Sequence, residues 1–216
     1  MFSFKNKNAP SDSQDKVYMT GEEKIEAMTT DILAAAHIYD AVMVIAFFHD
    51  QLTALRSEMD EQGVAYRYFD SLHQRYETVN AAGNQTVRVL LLPSEVLKGM
   101  SGGLSEEKEG EVAVIVAGHH PKAETDDLVL ALTRAMKRKS VVTFYQSFED
   151  ELLKVFGGER LSNLMTQMGM VKGEPVSHPL VSSSIRKAQE KLQERIVSDL
   201  PAGSEAEWFR INISAK

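Results

Sequence analysis

Two clusters of side chains in this sequence have the types and spacing to do chemistry. The first is His119-His120 followed by Asp126 and Asp127, with His49 and His73 as further ligand candidates. Adjacent histidines at the end of a strand point in different directions, and no H-E-x-x-H or comparable spacing occurs. No metal and no cofactor is therefore expected. The second is LTRAMKRKS (132 to 140), where Arg134, Lys137, Arg138 and Lys139 crowd together in a chain of net charge −7. Such a run is a phosphate grip, a protein-docking patch, or the cationic last turn of a helix. Helix-end charge favours the last reading, because Thr125 can cap and Asp126 and Asp127 fall in the first turn. Leu128, Leu132, Ala135 and Met136 would then form the buried stripe and turn the cations elsewhere. No serine sits in a G-x-S-x-G elbow, and the absence of cysteine removes disulfides, thiolate sites and Cys nucleophiles.

These clusters need elements to hold them. Thr20 opens a helix through GEEKIEAMTTDILAAAHI, with Glu22 and Glu23 in its first turn. AVMVIAFF (41 to 48) is a strand buried on both faces. HDQLTALRSEMDEQG is a helix ending at Gly63, and VAYRYFD is a second strand. A polar helix over 71 to 81 leads to the strand TVRVLLL (86 to 92), then to a Gly-rich and acidic loop. VAVIVAG (112 to 118), a helix over 123 to 139 and VVTFY (141 to 145) complete the alternation. Strands alternating with helices imply a three-layer α/β domain with a mainly parallel sheet. From Ser147 the pattern is helical: EDELLKVF, ERLSNLMTQM, and VSSSIRKAQEKLQERIVSDL. Met165, Met168 and Met170 suit a helix-on-domain contact better than an adaptable groove. The alternating WFRINIS (208 to 214) reads as an edge strand able to pair with its own sheet or another subunit's.

Composition sets outer limits. The chain is 43% hydrophobic and 25% charged, enough for a proper core. Its pI near 5.4 argues against a nucleic-acid or anionic-membrane binder, whose affinity rests on positive charge. No apolar run approaches the ~20 residues of a membrane span, and the start lacks a signal-peptide core, so a cytoplasmic protein without membrane insertion is expected.

VYMTGEEKIEAMTTDI (17 to 32) and SFEDELLKVFGGERLSNLMTQMGMVKGEPVSHPLVSSSIRKAQEKL (147 to 192) resemble SecA, the preprotein translocase ATPase family. That family carries V-Y-x-T-x-x-E-K where its second motor domain begins, S-x-E-D-x-L-x-R-x-F-x-x-x-R where it ends, then G-M-x-x-G-E and a K-A-Q-x-K helix. The resemblance implies a RecA-like second motor domain plus the start of the helical scaffold. Residues 1–15 would be a disordered tail, 16–157 the motor-type domain, and 158–216 a helical appendage with the terminal edge strand.

The resemblance also implies what is missing. No G-x-x-x-x-G-K-[ST] loop is present, so nothing cradles the β and γ phosphates. LLPSEVLKGM stands where the family has A-T-N-M-A-G-R-G-T-D-I. HPKAETDDLVLALTRAMKRKSVVTFYQSFED (120 to 150) aligns without gaps to the family's second motif. His120, Asp126, Phe144, Tyr145, Ser147, Glu149 and Asp150 fall in register. The motif's glutamine falls on Leu128, its finger arginines on Leu132 and Ala135, and its glycines on Ala131 and Arg134. An arginine finger is worth about 10³ to 10⁵ in rate, and leucine and alanine carry no charge to replace it. The expectation is a non-enzyme, a SecA-like binding or regulatory module of protein export. Its partner would be a translocase, a preprotein or a second copy of itself. A nucleotide-hydrolysing half-site completed by another chain, and a helicase-like nucleic-acid binder, are the alternatives. The expected interaction surface comprises Arg134, Lys137, Arg138 and Lys139 with Ile185, Leu192 and Trp208.

Overall fold

In a computed structural model, residues 13–69, 89–93, 111–135, 139–155 and 173–214 are described, with positions 157, 163, 167 and 171 between the last two stretches. Six strands form one sheet in the order β1-β6-β5-β2-β4-β3, and every pair is parallel. They are β1 (Ser13–Tyr18), β2 (Ala41–Ala46), β3 (Tyr66–Tyr68), β4 (Val89–Pro93), β5 (Glu111–Val116) and β6 (Lys139–Ser147). The helices are α1 (Gly21–Ile38), α2 (His49–Glu61), α3 (Ala123–Ala135), α4 (Glu151–Val155), α5 (Pro179–Gln193) and α6 (Glu205–Asn212). The α/β fold with a mainly parallel sheet, expected from the alternation of elements, is the fold observed.

Both faces of the sheet are covered, and β2 shows how. Val42, Val44 and Ala46 join the core under α1 and α2, with Met28, Ile32, Leu52, Leu55 and Met59. Met43 and Ile45 join the opposite core, with Val129, Leu130 and Leu132 of α3 and Trp208 of α6. Burial on both sides is why this strand is an unbroken apolar run. A third cluster joins Val17 of β1 and Leu152 of α4 to Val181, Ile185, Ala188 and Leu192 of α5.

The strand order places the functional rim. The chain leaves β2 through α2 toward β3, and leaves β5 through α3 toward β6, on the other side. The carboxyl ends of β2 and β5 therefore flank the topological switch point, the crevice where open α/β sheets bind ligands.

Three local expectations are corrected. Ser13 to Asp15, read as tail, begin the edge strand β1, which pairs with Val142 to Phe144 of β6. Its polar residues tolerate an edge position, so hydropathy alone hides it. WFRINIS is helical through Asn212 rather than an edge strand. Ser204 caps α6 by accepting from Glu207 N, and Glu205 and Glu207 fill its first turn. Along α3 the buried side consists of Asp126, Val129, Leu130, Leu132 and Thr133, whereas Leu128 is 46% exposed and Ala135 faces solvent. The helix is rotated from the expected stripe because Asp126 turns inward onto polar partners. Met136, the polar helix over 71 to 81, the loop 94 to 110 and the three methionines lie outside the described residues.

Candidate functional site

The residues that carry the resemblance meet one another across the molecule. Lys24 on α1 donates to both oxygens of Asp150, at 2.8 and 2.9 Å. Gly21 N donates to Glu149 Oε2 at 2.8 Å. Tyr18 stacks on Tyr145, with ring planes 4° apart. Ser147 donates to Asp150 through its backbone N–H and its hydroxyl, at 2.8 and 2.9 Å. The segments around Val17 and Asp150, more than a hundred residues apart, are thus one latch joining the start of α1 to the end of β6. Lys24 and Asp150 are both largely buried. Each then needs the other, because removing one partner of a buried pair leaves an uncompensated charge. Glu205 of α6 closes the latch from the third side, accepting from Glu151 N at 2.9 Å and Leu152 N at 3.1 Å. Burial and the neighbouring Asp150 push its carboxyl up to about 8 against the opposing pull of Lys24.

The adjacent histidines leave the end of β5 toward two unlike environments. Gly118, at φ +115°, makes the turn between strand and histidines; a Cβ there would lie 3.3 Å from Gln51 Nε2 and 3.5 Å from Gln146 Oε1. His119 lies flat on Phe144, with ring centroids 4.3 Å apart. Its Nδ1 is 2.8 Å from Asp126 Oδ2 and its Nε2 is 3.1 Å from Asp15 Oδ1. Carboxylates accept at both nitrogens, so the ring is an imidazolium donating twice. Burial opposes that charge, but Asp126 and Asp15 more than offset it and raise His119 to about 10. Burial likewise opposes the Asp15 charge, and the His119 cation with hydrogen bonds from His119 and Ser182 holds its carboxyl below the usual range. Asp126 also accepts from His120 N at 2.9 Å and Gln189 Nε2 at 2.6 Å. The cluster ties β1, α3 and α5 to the loop after β5.

His120 turns the other way, among aromatic rings. It stacks on Phe48 at 5.5 Å and meets Phe47 and Trp208 edge-on at 5.5 and 5.4 Å. Its Nδ1 accepts from Lys122 N at 3.0 Å, which requires a neutral ring. Burial drives its pKa down to about 4.

The chemistry open to this rim follows from those bonds. His119 has no free lone pair to serve as base or ligand, and Ser182 bonds Asp15 rather than the imidazole. Among the described residues no set of His, Asp and Glu is arranged to hold a metal ion. The cleft of about 310 Å³ between α3 and α5, lined by Asp15, His119, Asp126, Ser182 and Gln189, is a built charge network rather than a nucleophile with its base.

The sequence-expected interaction residues are dispersed. Ile185 and Leu192 are 1% and 0% exposed beneath α5, and Trp208 is 2% exposed in the crevice. These three are corrected from interaction surface to interior, because their apolar side packs back on the chain's own sheet and helices. Arg134 is exposed in the last turn of α3. Thirteen helical residues at about 1.5 Å rise put that turn roughly 18 Å from the carboxyl rim, which fits a helix end and not a phosphate grip. Lys139 opens β6 opposite Glu111; Lys137 and Arg138 lie outside the described residues. Leu132, at a finger-arginine position, is buried in the core. Asp15 and Gln189 were not legible as site residues. They lie 104 and 63 residues from the groups they bond, so no spacing rule links them.

No family model matches the chain. It is similar to the protein translocase subunit SecA of Desulforapulum autotrophicum, at 25% identity over 185 residues, covering 84% of this chain and 22% of that protein. The SecA of Sorangium cellulosum is 25% identical over 227 residues, covering 85% of this chain and 22% of its own length. That of Caldicellulosiruptor saccharolyticus is 26% identical over 187 residues, with coverages of 85% and 22%. The chain thus spans about 22% of the length of these relatives. Among solved structures, the C-terminal part of the Fun30 ATPase domain superposes with a TM-score of 0.47 at 11% identity, covering 79% of this chain and 54% of that one. The DEAD-box protein SrmB of E. coli superposes at 0.47 and 15%, covering 67% and 83%. The chain is SecA-like. The SecA similarity corrects the expectation of a non-enzyme: SecA is an ATPase, so these relatives point to an enzyme. Among the described residues no helix is long and apolar enough to cross a membrane.

Proposed function

We propose that the chain acts in protein export, on the cytoplasmic side, by binding a protein partner of the SecA translocase system. The observation that carries this is the alignment to SecA across 84% of the chain. The latch supports it, since residues shared with that family, Tyr18, Lys24, Tyr145, Ser147, Glu149 and Asp150, hold the fold together here. The test is titration of the chain into purified SecA, with binding followed by calorimetry and ATP turnover by phosphate release. A saturable complex with a changed turnover is the expected outcome. No complex at up to about 100 µM, a free energy weaker than roughly −5.5 kcal/mol, would overturn the reading.

A half-site completed in trans by a partner chain is the second reading, favoured because the relatives are ATPases. A parallel titration into the isolated first motor domain of SecA separates the two. Under the half-site reading, a SecA first motor domain that is inactive alone gains turnover on adding the chain. Under the binding reading, turnover changes only in a translocase already active.

A further inference from the structure

The crevice at the switch point is occupied, and its occupant is the chain's own C-terminal segment. Gly203 O accepts from Asp50 N at 3.0 Å, in the first turn of α2. Glu205 takes the backbone N–H groups of Glu151 and Leu152, and Trp208 meets His120 edge-on, with His120 in turn packed against Phe47 and Phe48. Lys122 holds Asp199 at 2.6 Å. One short segment thus covers the carboxyl rim at the start of α2, the loop after β5 and the start of α4.

The segment is also closed on itself. Asn212, fully buried, accepts from Leu200 N at 2.7 Å and donates to Leu200 O at 3.0 Å. Val197 N bonds Asn212 O at 2.9 Å, Ser214 N bonds Arg195 O at 3.0 Å, and Ile196 and Ile213 form an antiparallel bridge. Residues 195 to 214 are a compact hairpin of link plus helix, closed by these internal bonds. It follows directly on α5, whose C-cap is Glu194. At that junction the buried Arg195 Nε has no hydrogen-bond partner, and Val197 and Leu200 of the link are 68% and 56% exposed.

We infer that residues 195 to 214 are a removable, self-bound ligand of the carboxyl-rim crevice, and that the same crevice accepts this hairpin from a second copy of the chain. The identity of the occupant follows from complementarity. A chain that releases its hairpin presents both the vacant crevice and the segment that fits it, so two copies satisfy each other reciprocally. What the crevice selects is a short helix with an acidic residue in its first turn, matched to the N–H groups of α4, and a tryptophan one turn later. This holds independently of any role in export.

The chain has a single tryptophan, which makes the test direct. The probe is a synthetic peptide spanning residues 195 to 214, and the receptor is the full chain carrying Trp208→Ala, so the peptide holds the only indole. The expected result is a saturable blue shift of peptide emission. Affinity should be at least about tenfold tighter for Trp208→Ala than for the wild-type chain, read by anisotropy of a fluorescein-labelled peptide. The tethered hairpin otherwise competes at its own effective concentration. Absence of a shift with a receptor of wild-type circular dichroism overturns the inference, as does equal affinity of a peptide carrying Trp208→Ala. If that receptor does not fold, Lys122→Ala takes its place, freeing Asp199 at an exposed tie. It should bind labelled peptide more tightly than wild type and speed amide exchange in α6, and failure of both overturns the inference. No export component enters the experiment, so its outcome is separate from that of the SecA titration.

Discussion

His119 and His120 are neighbours in sequence with opposite physics. One is an imidazolium clamped between Asp15 and Asp126, its pKa raised to about 10; the other is a neutral ring among Phe47, Phe48 and Trp208, lowered to about 4. The difference comes from what the fold brings to each side of the β5 rim: carboxylates from β1 and α3 on one, aromatic rings from the end of β2 and from α6 on the other. Burial disfavours charge on both, and only the side with fixed counter-charges overcomes it.

The sharpest way to break this contrast is one substitution made at both positions. His119→Phe leaves two buried aspartates without their cation and is expected to cost about 3–5 kcal/mol, the scale for removing one partner of a buried ion pair. His120→Phe keeps an aromatic ring in the crevice and loses one acceptor for Lys122 N, so it should cost under about 1.5 kcal/mol. Urea midpoints at neutral pH measure both. Equal losses would mean that the two sides are not distinct environments.

Asp126→Asn tests the polar side with less violence. The amide still accepts from His120 N, but His119 loses its nearer counter-charge at 2.8 Å. A loss of roughly 2–3 kcal/mol is expected, in the range for hydrogen bonds to charged groups. The His119 ring resonances should then titrate at lower pH by NMR, and an unmoved titration would remove Asp126 as the cause of the raised value.

The two histidines also give pH dependences of opposite sign. His119 binds its proton more tightly when folded, so its contribution is complete below about 6.5 and is lost as pH rises through about 10. His120 binds its proton less tightly when folded, so its contribution is present above about 6.5 and is lost as pH falls through about 4. Glu205, raised from 4.5 to about 8, adds a fall in stability with rising pH between those values, and Glu205→Gln serves as its control. In urea titrations across pH, His119→Phe should flatten the alkaline limb and His120→Phe the acid limb. A single variant that flattens both would collapse the comparison.

How legible each side was in the sequence follows from which interactions are local. β2, β5 and β6 announce themselves because burial on both faces demands continuous apolar runs. That adjacent histidines at a strand end diverge was also readable, from the alternation of side chains along a strand. Their partners were not. Asp15 looked like tail because an edge strand needs little hydrophobicity. Asp126 looked like a dipole-favoured first-turn acid because its inward turn depends on Gln189 of α5, far along the chain. Trp208 fell in an alternating run with strand-like composition, and the helix was decided by the Ser204 cap just upstream. Tertiary contacts overrode propensity at Asp15 and Asp126, and a local cap did so at Trp208.

The smallest effect is expected where the sequence drew most notice. Arg134 stands exposed at the far end of α3, away from both histidines and from the carboxyl rim. Favourable interaction of a cation with a helix C-terminus at the surface is worth about 0.3–1 kcal/mol, and salt screens it. Arg134→Ala should therefore shift the urea midpoint by no more than that at low ionic strength and by less at high salt, leaving both histidine titrations unchanged. A loss several times larger, or a salt-independent one, would place Arg134 in a contact that the helix-end reading does not contain. It would then be a third pole beside the two at the rim, set by a cation instead of by carboxylates or aromatic rings.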